Sequence, residues 1–365
     1  MEKKAHKMYD KPGNCPVCGM EIDHEEILYE FEGKKFFFCS EGCLEKFKES
    51  PSELSGKRVY DLIIIGGGPA GLSAAIYASV LKIDTFFITN DIGGQAIDTS
   101  GIKNYMGFEF ISGPELISKF KDQFLKEHYL SHKIGRVVNI EHQDEKFEIT
   151  TLKQEKYSAN AVIVASGMKK RKLGIPGEDR LQRKGICYSL VHDIDLFKGS
   201  DVVVIGGGNS GVQTANDLQK AGCTVTLVTM GKMLADPNNI EQIKDNVNII
   251  ERHIISKILG DERVEGVIIQ SEKTNEEVRL QCSEVFIQVG FLPNTEFCRD
   301  LVNLNEKGEI AIHSDCSTRT EGLFACGDVT NTYKRIIIAS GEGAKAALSV
   351  KQYLRDKIKQ KSNAK

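Results

Sequence analysis

The sequence predicts an α/β protein in which two parallel-sheet domains follow a small cysteine-rich module. A repeated feature predicts the sheets, because the apolar runs 60–65 and 201–205 each lead into a glycine-rich turn and then a helix. Clustering of the cysteines predicts the module, since four of the ten lie between Cys15 and Cys43. A chain of 365 residues is long enough for two or three domains, each with its own core.

Composition and charge are those of an ordinary globular protein. Hydrophobic residues make up 41% and charged residues 27% of the chain, and the formal net charge is −3. This balance predicts neither a nucleic-acid partner nor a membrane surface. The polar start Met1–Asp10 lacks the apolar middle of a signal peptide, and no apolar run is long enough to cross a bilayer. We therefore expect a cytoplasmic protein whose cysteines serve metal or redox chemistry.

The N-terminal segment combines two cysteine pairs with a small aromatic core. The first pair forms a CxxC knuckle, and the second forms a CxxxC pair at the start of a predicted helix. Four thiolates at this spacing favour a tetrahedral site for a thiophilic metal. The hydrophobic core is too small to stabilise the fold of such a segment without a metal ion or another cross-link. The predicted metal ligands are Cys15, Cys18, Cys39 and Cys43.

This module, residues 1–54, resembles the YHS/TRASH family of metal-binding modules. The pattern of that family, one cysteine and later a CxxxC pair, is met by Cys18, Cys39 and Cys43. The resemblance implies a treble-clef-like fold, followed by a polar linker at 55–57. We expect one structural zinc ion, with sensing, storage or delivery of a thiophilic ion such as copper as the alternative.

Two copies of a GxGxxG turn, at Gly66–Gly71 and Gly206–Gly211, each follow a predicted strand and open a predicted helix. The first glycine permits the turn, and the second lets a pyrophosphate approach the backbone at the helix N-terminus. The third lets helix and strand pack closely. Two such turns predict two Rossmann-like domains, each a three-layer ββα fold. We expect a flavin on one and a nicotinamide nucleotide on the other, stacked so that a hydride can cross.

Further motifs make residues 57–355 similar to the thioredoxin reductase group of pyridine nucleotide-disulfide oxidoreductases, the class II flavoproteins. These motifs are GGQ at Gly93–Gln95, NYMG at Asn104–Gly107, ASG ending at Gly167 and FACGD ending at Asp328. The segment that begins at Arg335 resembles the one whose helix start faces the flavin pyrimidine edge. A helix N-terminus there offers N–H donors and positive potential to the reduced flavin.

The resemblance implies a discontinuous FAD-binding domain, 58–168 and 296–365, with an NAD(P)-binding domain inserted at 169–295. It also implies a homodimer. The implied FAD contacts are Gly66, Gly68, Pro69, Ala70, Gly71, Gly93, Gly94, Gln95, Asn104, Gly167, Gly327, Asp328, Arg335, Ile336 and Ile337. The implied NAD(P) contacts are Gly206, Gly208, Asn209, Ser210 and Gly211.

The main departure from this group lies shortly before the second glycine turn. Thioredoxin reductases carry a redox-active CxxC followed by Asp there, and this sequence has Ser189-Leu-Val-His192 followed by Asp193. Without that dithiol, the usual relay from reduced FAD to a thioredoxin disulfide has no first acceptor. We therefore expect no ordinary thioredoxin reduction.

Three residues of this segment are candidate catalytic groups. His192 and Asp193 could move protons near the flavin, or they could fill a domain contact after loss of the thiols. Cys187 could take part in redox chemistry, although a single cysteine in a core is usually inert.

The nucleotide donor is the second departure. The basic HRR with which the family pairs the NADPH 2′-phosphate is replaced by Thr229-Met-Gly231, and Lys232 is the cation that remains nearby. The acidic residue expected for an NADH ribose is missing as well, so the donor stays open between the two, with NADH favoured. In the first fold, the ribose-binding Glu of the family is replaced by Thr89.

The sequence thus predicts an FAD enzyme that passes electrons from NAD(P)H to an acceptor other than an internal CxxC dithiol. The acceptor could be a ferredoxin or another redox protein, as in the ferredoxin–NAD(P) reductase branch of the family, which also lacks the CxxC. It could also be a metal or disulfide presented by the N-terminal module. Two alternatives remain: a disulfide reductase that uses non-aligned cysteines, and a metal or redox sensor with non-catalytic FAD.

Overall fold

The computed structural model describes residues 15–17, 22, 27–31, 34–49, 59–99, 101–127, 129–143, 145–188 and 194–363. Contacts divide the chain into two compact units. Unit 1 comprises Met1–Ile97, Ile102–Gly167 and Pro293–Lys365, and unit 2 comprises Asp98–Gly101 and Met168–Leu292. The predicted linker 55–57 lies outside the described residues. Helices and parallel strands alternate in both units, which confirms the predicted α/β class.

The cysteine-rich module contains a hairpin and one helix. Strands β1 (Ile27–Phe31) and β2 (Lys34–Phe38) pair antiparallel, and α1 (Glu41–Glu49) follows them. Phe47 of α1 is fully buried. Its ring centroid lies 4.9 to 6.1 Å from those of four aromatic residues, Tyr29, Phe31, Phe36 and Phe38. One helix side chain therefore holds most of the aromatic core of the module.

After the module, unit 1 continues with a strand–turn–helix sequence at the first glycine turn. Its elements up to residue 164 are β3 (Val59–Ile65), α2 (Pro69–Val80), β4 (Thr85–Thr89), α3 (Gly113–Phe124), β5 (Leu130–Ile134), β6 (Val137–Gln143), β7 (Lys146–Thr151) and β8 (Lys156–Val164). The strand order is β5-β4-β3-β8-β7-β6, parallel from β5 to β8 and antiparallel beyond it. Strand β3 lies between two parallel neighbours, which explains why its apolar residues are continuous rather than alternating.

Unit 2 repeats this design around the second glycine turn. Its elements are β9 (Met168–Lys170), β10 (Ile186–Cys187), β11 (Asp201–Ile205), α4 (Asn209–Lys220), β12 (Thr224–Thr229), α5 (Pro237–Ile243), β13 (Asn248–Glu251), β14 (His253–Leu259), β15 (Gly266–Ser271), β16 (Glu277–Gln281), β17 (Glu284–Ile287) and β18 (Phe291–Pro293). A parallel sheet has the order β10-β17-β11-β12-β13, an antiparallel sheet the order β14-β15-β16, and β9 pairs with β18.

The chain then returns to unit 1. Strand β19 (Leu323–Ala325) pairs parallel with β8, and helix α6 (Ile336–Asn363) packs against α2. Short 3₁₀ helices lie at Gly94–Asp98, Ile194–Phe197, Glu296–Leu301 and Gly327–Val329. Over the described stretches, no helix combines the length and the apolar character that crossing a membrane requires.

Helix α6 approaches α2 at a glycine. A Cβ atom added at Gly343 would lie 2.0 Å from the carbonyl oxygen of Ala70, whereas one added at Gly341 would meet no described atom within 4 Å. Backbone atoms cannot move aside as a flexible side chain can. The contact between these helices therefore requires glycine at 343 and not at 341.

We predict that Gly343→Ala and Gly341→Ala change stability in opposite directions. The first variant should lose about 2 kcal/mol or more, because the added methyl overpacks a backbone contact. The second should gain up to about 1 kcal/mol, because alanine has the higher helix propensity. Urea denaturation of both variants and the unchanged protein measures the difference, and equal midpoints for the two variants would contradict this account.

Candidate functional site

Three glycines of the first turn have distinct surroundings. A Cβ at Gly66, where φ is +115°, would lie 2.2 Å from the carbonyl oxygen of Ala165, and one at Gly71 would lie 1.8 Å from that of Gly66. A Cβ at Gly68 would meet none of the described atoms within 4 Å. Gly68 is also the N-cap of α2. The first and third glycines thus allow close packing, and the second borders open space at a helix N-terminus, where a phosphate fits.

Other glycine-rich segments converge on this turn. The backbone N–H of Gly93 donates to the carbonyl oxygen of Gly67 at 2.8 Å. A Cβ at Gly94 would lie 3.1 Å from Cα of Gly68, and one at Gly327 would lie 2.7 Å from Cβ of Ala70. The structure therefore brings together predicted FAD contacts from three distant parts of the sequence, with Pro69 as the first residue of α2.

The remaining predicted FAD contacts are more dispersed. Ile336, at the start of α6, packs against the cluster formed by Ile102 and Ile111, while Ile337 is partly exposed. Asn104 and Arg335 are exposed, and Gln95 is half-buried in its 3₁₀ helix. The carbonyl oxygen of Gly167 accepts a hydrogen bond from the N–H of Asn294 at 3.0 Å, which joins the segments on either side of unit 2.

The carboxyl group of Asp328 is half-buried in the 3₁₀ helix after β19. Burial raises its pKa, Lys334 opposes this shift, and Glu342 adds to it. Glu342 is itself buried, and its Oε2 accepts a hydrogen bond from the N–H of Gly327 at 2.8 Å. Lys334 forms an ion pair with Glu309 at 3.0 Å. Hydrogen-bond donors brought by a ligand would favour the ionised form of Asp328.

Thr89 ends β4 where the family has its ribose-binding Glu. Its side chain is only 5% exposed and its hydroxyl donates to the carbonyl oxygen of Asp91. A Cβ at Gly67 would lie 2.5 Å from the Thr89 hydroxyl oxygen. The Asp91 carboxylate accepts from the N–H of Gly94 at 3.2 Å. Thr89 is therefore buried against the turn, and its hydroxyl is engaged by the backbone of Asp91.

The second glycine turn repeats the geometry of the first. A Cβ at Gly206 (φ +125°) would lie 2.2 Å from the carbonyl oxygen of Gln288, and one at Gly211 would lie 1.8 Å from that of Gly206. One at Gly208, the N-cap of α4, would meet no atom of the described residues within 4 Å. This arrangement offers a second phosphate site at a helix N-terminus.

A loop after β12 folds back onto the second turn. The N–H groups of Leu234 and Ala235 donate to the carbonyl oxygen of Gly207 at 2.8 and 3.0 Å. Asn209 is engaged with the same loop, because its amide donates to the Asp236 carboxylate at 3.0 Å and its oxygen accepts the N–H of Asp236 at 2.8 Å. Ser210 is exposed. The predicted contact Asn209 is thus occupied within the protein.

The candidate catalytic segment is only partly described. His192 and Asp193 lie outside the described residues. Cys187 is half-buried on β10, and burial, with a smaller contribution from Glu284, raises its pKa to about 11. The next residue, Tyr188, donates its hydroxyl to the buried carboxylate of Glu178 at 2.6 Å. A thiol with so high a pKa is a poor nucleophile at neutral pH.

Three of the four predicted metal ligands meet in the module. The sulfur atoms of Cys15, Cys39 and Cys43 all lie within 4.8 Å of one another, and those of Cys39 and Cys43 are 3.6 Å apart. Cys15 is buried and the other two are half-buried. Cys18 lies outside the described residues. The three sulfurs are close enough to share one thiophilic ion.

Several residues that surround these sites have no pattern in the sequence that predicts them. Glu342 and Lys334 lie beside Asp328, and Asp236 binds Asn209. Glu251, at the end of β13, accepts the backbone N–H of Met233 at 2.8 Å through its Oε1 atom. Glu342 lies between Gly341 and Gly343, but the other three follow no glycine motif, so the local signal that could have identified them is weak.

Comparison with known proteins agrees with this geometry. The pyridine nucleotide-disulphide oxidoreductase family matches residues 60–343, and the YHS domain family matches residues 14–57. The F subunit of alkyl hydroperoxide reductase from Staphylococcus epidermidis is 38% identical over 315 residues, which cover 84% of this chain and 61% of that protein. The chain thus spans less than two thirds of the length of this curated relative.

Two solved thioredoxin reductases have similar folds. The enzyme of Lactococcus lactis, in its FR conformation, has a TM-score of 0.72 and 32% identity, and that of T. acidophilum has a TM-score of 0.70 and 34% identity. Each comparison covers 81% of this chain and 99% of the other. The chain has the fold of thioredoxin reductases and carries a YHS domain ahead of that fold. Its sequence, its two glycine turns and these matches show that it belongs to the pyridine nucleotide-disulphide oxidoreductase family.

Proposed function

We propose that this chain is an FAD-dependent oxidoreductase that takes electrons from NAD(P)H, with NADH favoured, and passes them to an acceptor other than a CxxC dithiol of its nucleotide-binding domain. One observation carries the proposal: the second glycine of each turn, Gly68 and Gly208, borders open space at a helix N-terminus, while the first and third glycines pack against backbone. Two phosphate sites in one chain support FAD on one unit and the nicotinamide nucleotide on the other. Resemblance to the family supports a homodimer.

Residues of unit 1 would bind and orient the FAD. Helix α2 would direct its first N–H groups at the pyrophosphate, and Asp328 would accept hydrogen bonds from flavin ribityl hydroxyls. The start of α6 at Ile336 would face the flavin ring with its positive end. When bound, FAD supplies a carrier that accepts two electrons from a nicotinamide and can release them singly or in pairs.

The acceptor is proposed to be a separate redox group. The resemblance to thioredoxin reductases places Ser189 and His192 at the positions of the dithiol. Cys187, two residues before Ser189 in the sequence, and Cys282 are unsuited to replace it, because burial raises the pKa of Cys187 to about 11 and that of Cys282 to about 12. A ferredoxin or another redox protein remains as the external acceptor, and the metal or thiols of the YHS domain remain as an internal one.

Anaerobic titration with NADH and NADPH tests the proposal directly. We expect the purified protein to carry FAD and the flavin absorbance to bleach with about one equivalent of nucleotide, because one nicotinamide delivers two electrons. A protein that binds no FAD would refute the proposal. Bound FAD that neither nucleotide reduces would favour the sensor function instead.

Two matched variants test which glycine turn binds FAD and which binds the nicotinamide nucleotide. Gly68 (φ −74°, ψ −179°) and Gly208 (φ −86°, ψ 176°) have extended backbones that any residue can adopt. Valine at either position therefore fills the phosphate space without backbone strain. Gly68→Val should lose FAD, whereas Gly208→Val should keep FAD and need at least about tenfold more NADH for the same bleaching. Each variant is the control for the other, and unchanged NADH reduction in Gly208→Val would contradict the assignment.

A metal ion in the YHS domain is the second part of the proposal. We expect the purified protein to hold about one thiophilic metal ion per chain, and Cys43→Ser to lose most of it, because a hydroxyl is a much weaker ligand than a thiolate. Elemental analysis measures both. Cys187→Ala is the matched control and should keep the metal, while full retention by Cys43→Ser would show that the sulfur cluster does not bind it.

Disulfide reduction is a second candidate function, and the 3.6 Å separation of the Cys39 and Cys43 sulfurs favours it. One NADH and one proton from water would then reduce a disulfide between them to two thiols, with release of NAD⁺. If this function holds, Cys39→Ser and Cys43→Ser should each abolish NADH-dependent reduction of a model disulfide, and Cys187→Ala should not. Equal rates in all three variants would exclude it.

A further inference from the structure

A carboxylate from the neighbouring strand lies at the loop that packs onto the second glycine turn. The sequence from Thr229 to Leu234 carries no acidic residue, and so β12 itself supplies no partner for a ribose. However, β12 pairs in parallel with β13, with Thr229 opposite Glu251. The Oε1 atom of Glu251 accepts the backbone N–H of Met233 at 2.8 Å. The carboxylate therefore lies at the loop that follows β12.

This loop adjoins the phosphate site of the same unit. The N–H groups of Leu234 and Ala235 bind the carbonyl oxygen of Gly207, the residue before the open position Gly208. In dinucleotide folds, the group at the end of the second strand meets the adenosine ribose. A carboxylate there accepts hydrogen bonds from the ribose hydroxyls and repels a 2′-phosphate.

We propose, on the basis of the proposed function, that Glu251 selects NAD(H) over NADP(H) in this chain. It replaces the acidic residue that other dinucleotide folds carry on the preceding strand. Because Oε1 is held by the backbone of Met233, the carboxylate is fixed beside the loop before any nucleotide binds.

Two cationic residues lie close to this carboxylate and would favour NADP(H) over NAD(H). Lys232 and Arg252 are both exposed, and the backbone N–H of Arg252 donates to the carbonyl oxygen of Gly231 at 3.3 Å. Their long side chains must give up rotamer freedom to hold a 2′-phosphate, whereas Glu251 is already ordered by its hydrogen bond. The fixed negative charge therefore dominates the discrimination.

The test is equilibrium binding of NAD⁺ and NADP⁺ to the FAD-loaded protein, by isothermal titration calorimetry. In Glu251→Gln the amide oxygen can still accept the Met233 N–H, so that only the charge is lost. We expect its NADP⁺ affinity to rise about tenfold at low ionic strength, and the gain to shrink as salt is added. Glu251→Ala should also lose NAD⁺ affinity several-fold, because the ribose hydroxyls lose their acceptor. Glu277→Gln, an exposed glutamate of β16, is the control and should leave both affinities unchanged.

The outcomes separate this inference from the proposed function. An unchanged NAD⁺ to NADP⁺ ratio in Glu251→Gln, with tight NAD⁺ binding by the unchanged protein, would overturn the role of Glu251 and leave the function standing. Tighter binding of NADP⁺ than NAD⁺ by the unchanged protein would also overturn it, since Lys232 and Arg252 would then dominate. Binding of neither nucleotide would refute the proposed function and this inference together.

Discussion

Close backbone packing at the two glycine turns is the constraint on which the rest of this chain depends. At Gly71 and Gly211, a carbonyl oxygen of the turn lies 1.8 Å from where a Cβ would be, so the helix can approach the strand only without a side chain there. This approach points the free N–H groups of each helix past the end of the sheet. In unit 1 the segments at Gly94 and Gly327 then pack onto the same turn.

Charge is arranged differently around the two turns. In unit 1, the half-buried carboxyl of Asp328 lies near Lys334 and Glu342, so its pKa depends on a balance between burial and neighbouring charges. In unit 2, Asp236 and Glu251 are exposed, and their carboxylates accept hydrogen bonds from the side-chain amide of Asn209 and from the backbone of Met233. The carboxyl group of Asp328 is thus partly shielded from solvent, whereas those of Asp236 and Glu251 are open to water and dissolved ions.

The cysteines of the YHS domain and those near the C-terminal end of the chain lie in different environments. Burial raises the pKa of Cys298 to about 12 and that of Cys316 to about 11, which keeps these core thiols protonated and unreactive at neutral pH. In the YHS domain, by contrast, the sulfurs of Cys15, Cys39 and Cys43 lie together around a small aromatic core. Soft-metal or dithiol chemistry is therefore favoured at that cluster over the buried cysteines.

The sequence by itself determined the α/β class, the two strand–turn–helix units and the cysteine cluster, because each depends on residues that are neighbours in the chain. Glycine spacing and apolar runs are local signals, and they predicted that Gly66–Gly71 and Gly206–Gly211 each lie between a strand and a helix. Cys18, His192 and Asp193 stay predictions, since they lie outside the described residues.

Only the tertiary structure decided which side chains are available at these sites. It buried Thr89 against the first turn, bound Asn209 to Asp236 and left Cys187 half-buried near Glu284. It also brought Glu251 to Met233 in the loop after β12, whose residues 230–234 include no acidic side chain. The physical reason is the same in each case, because hydrogen bonding, burial and pKa depend on atoms from distant segments, and these meet only when parallel strands pair and the loops after them fold back.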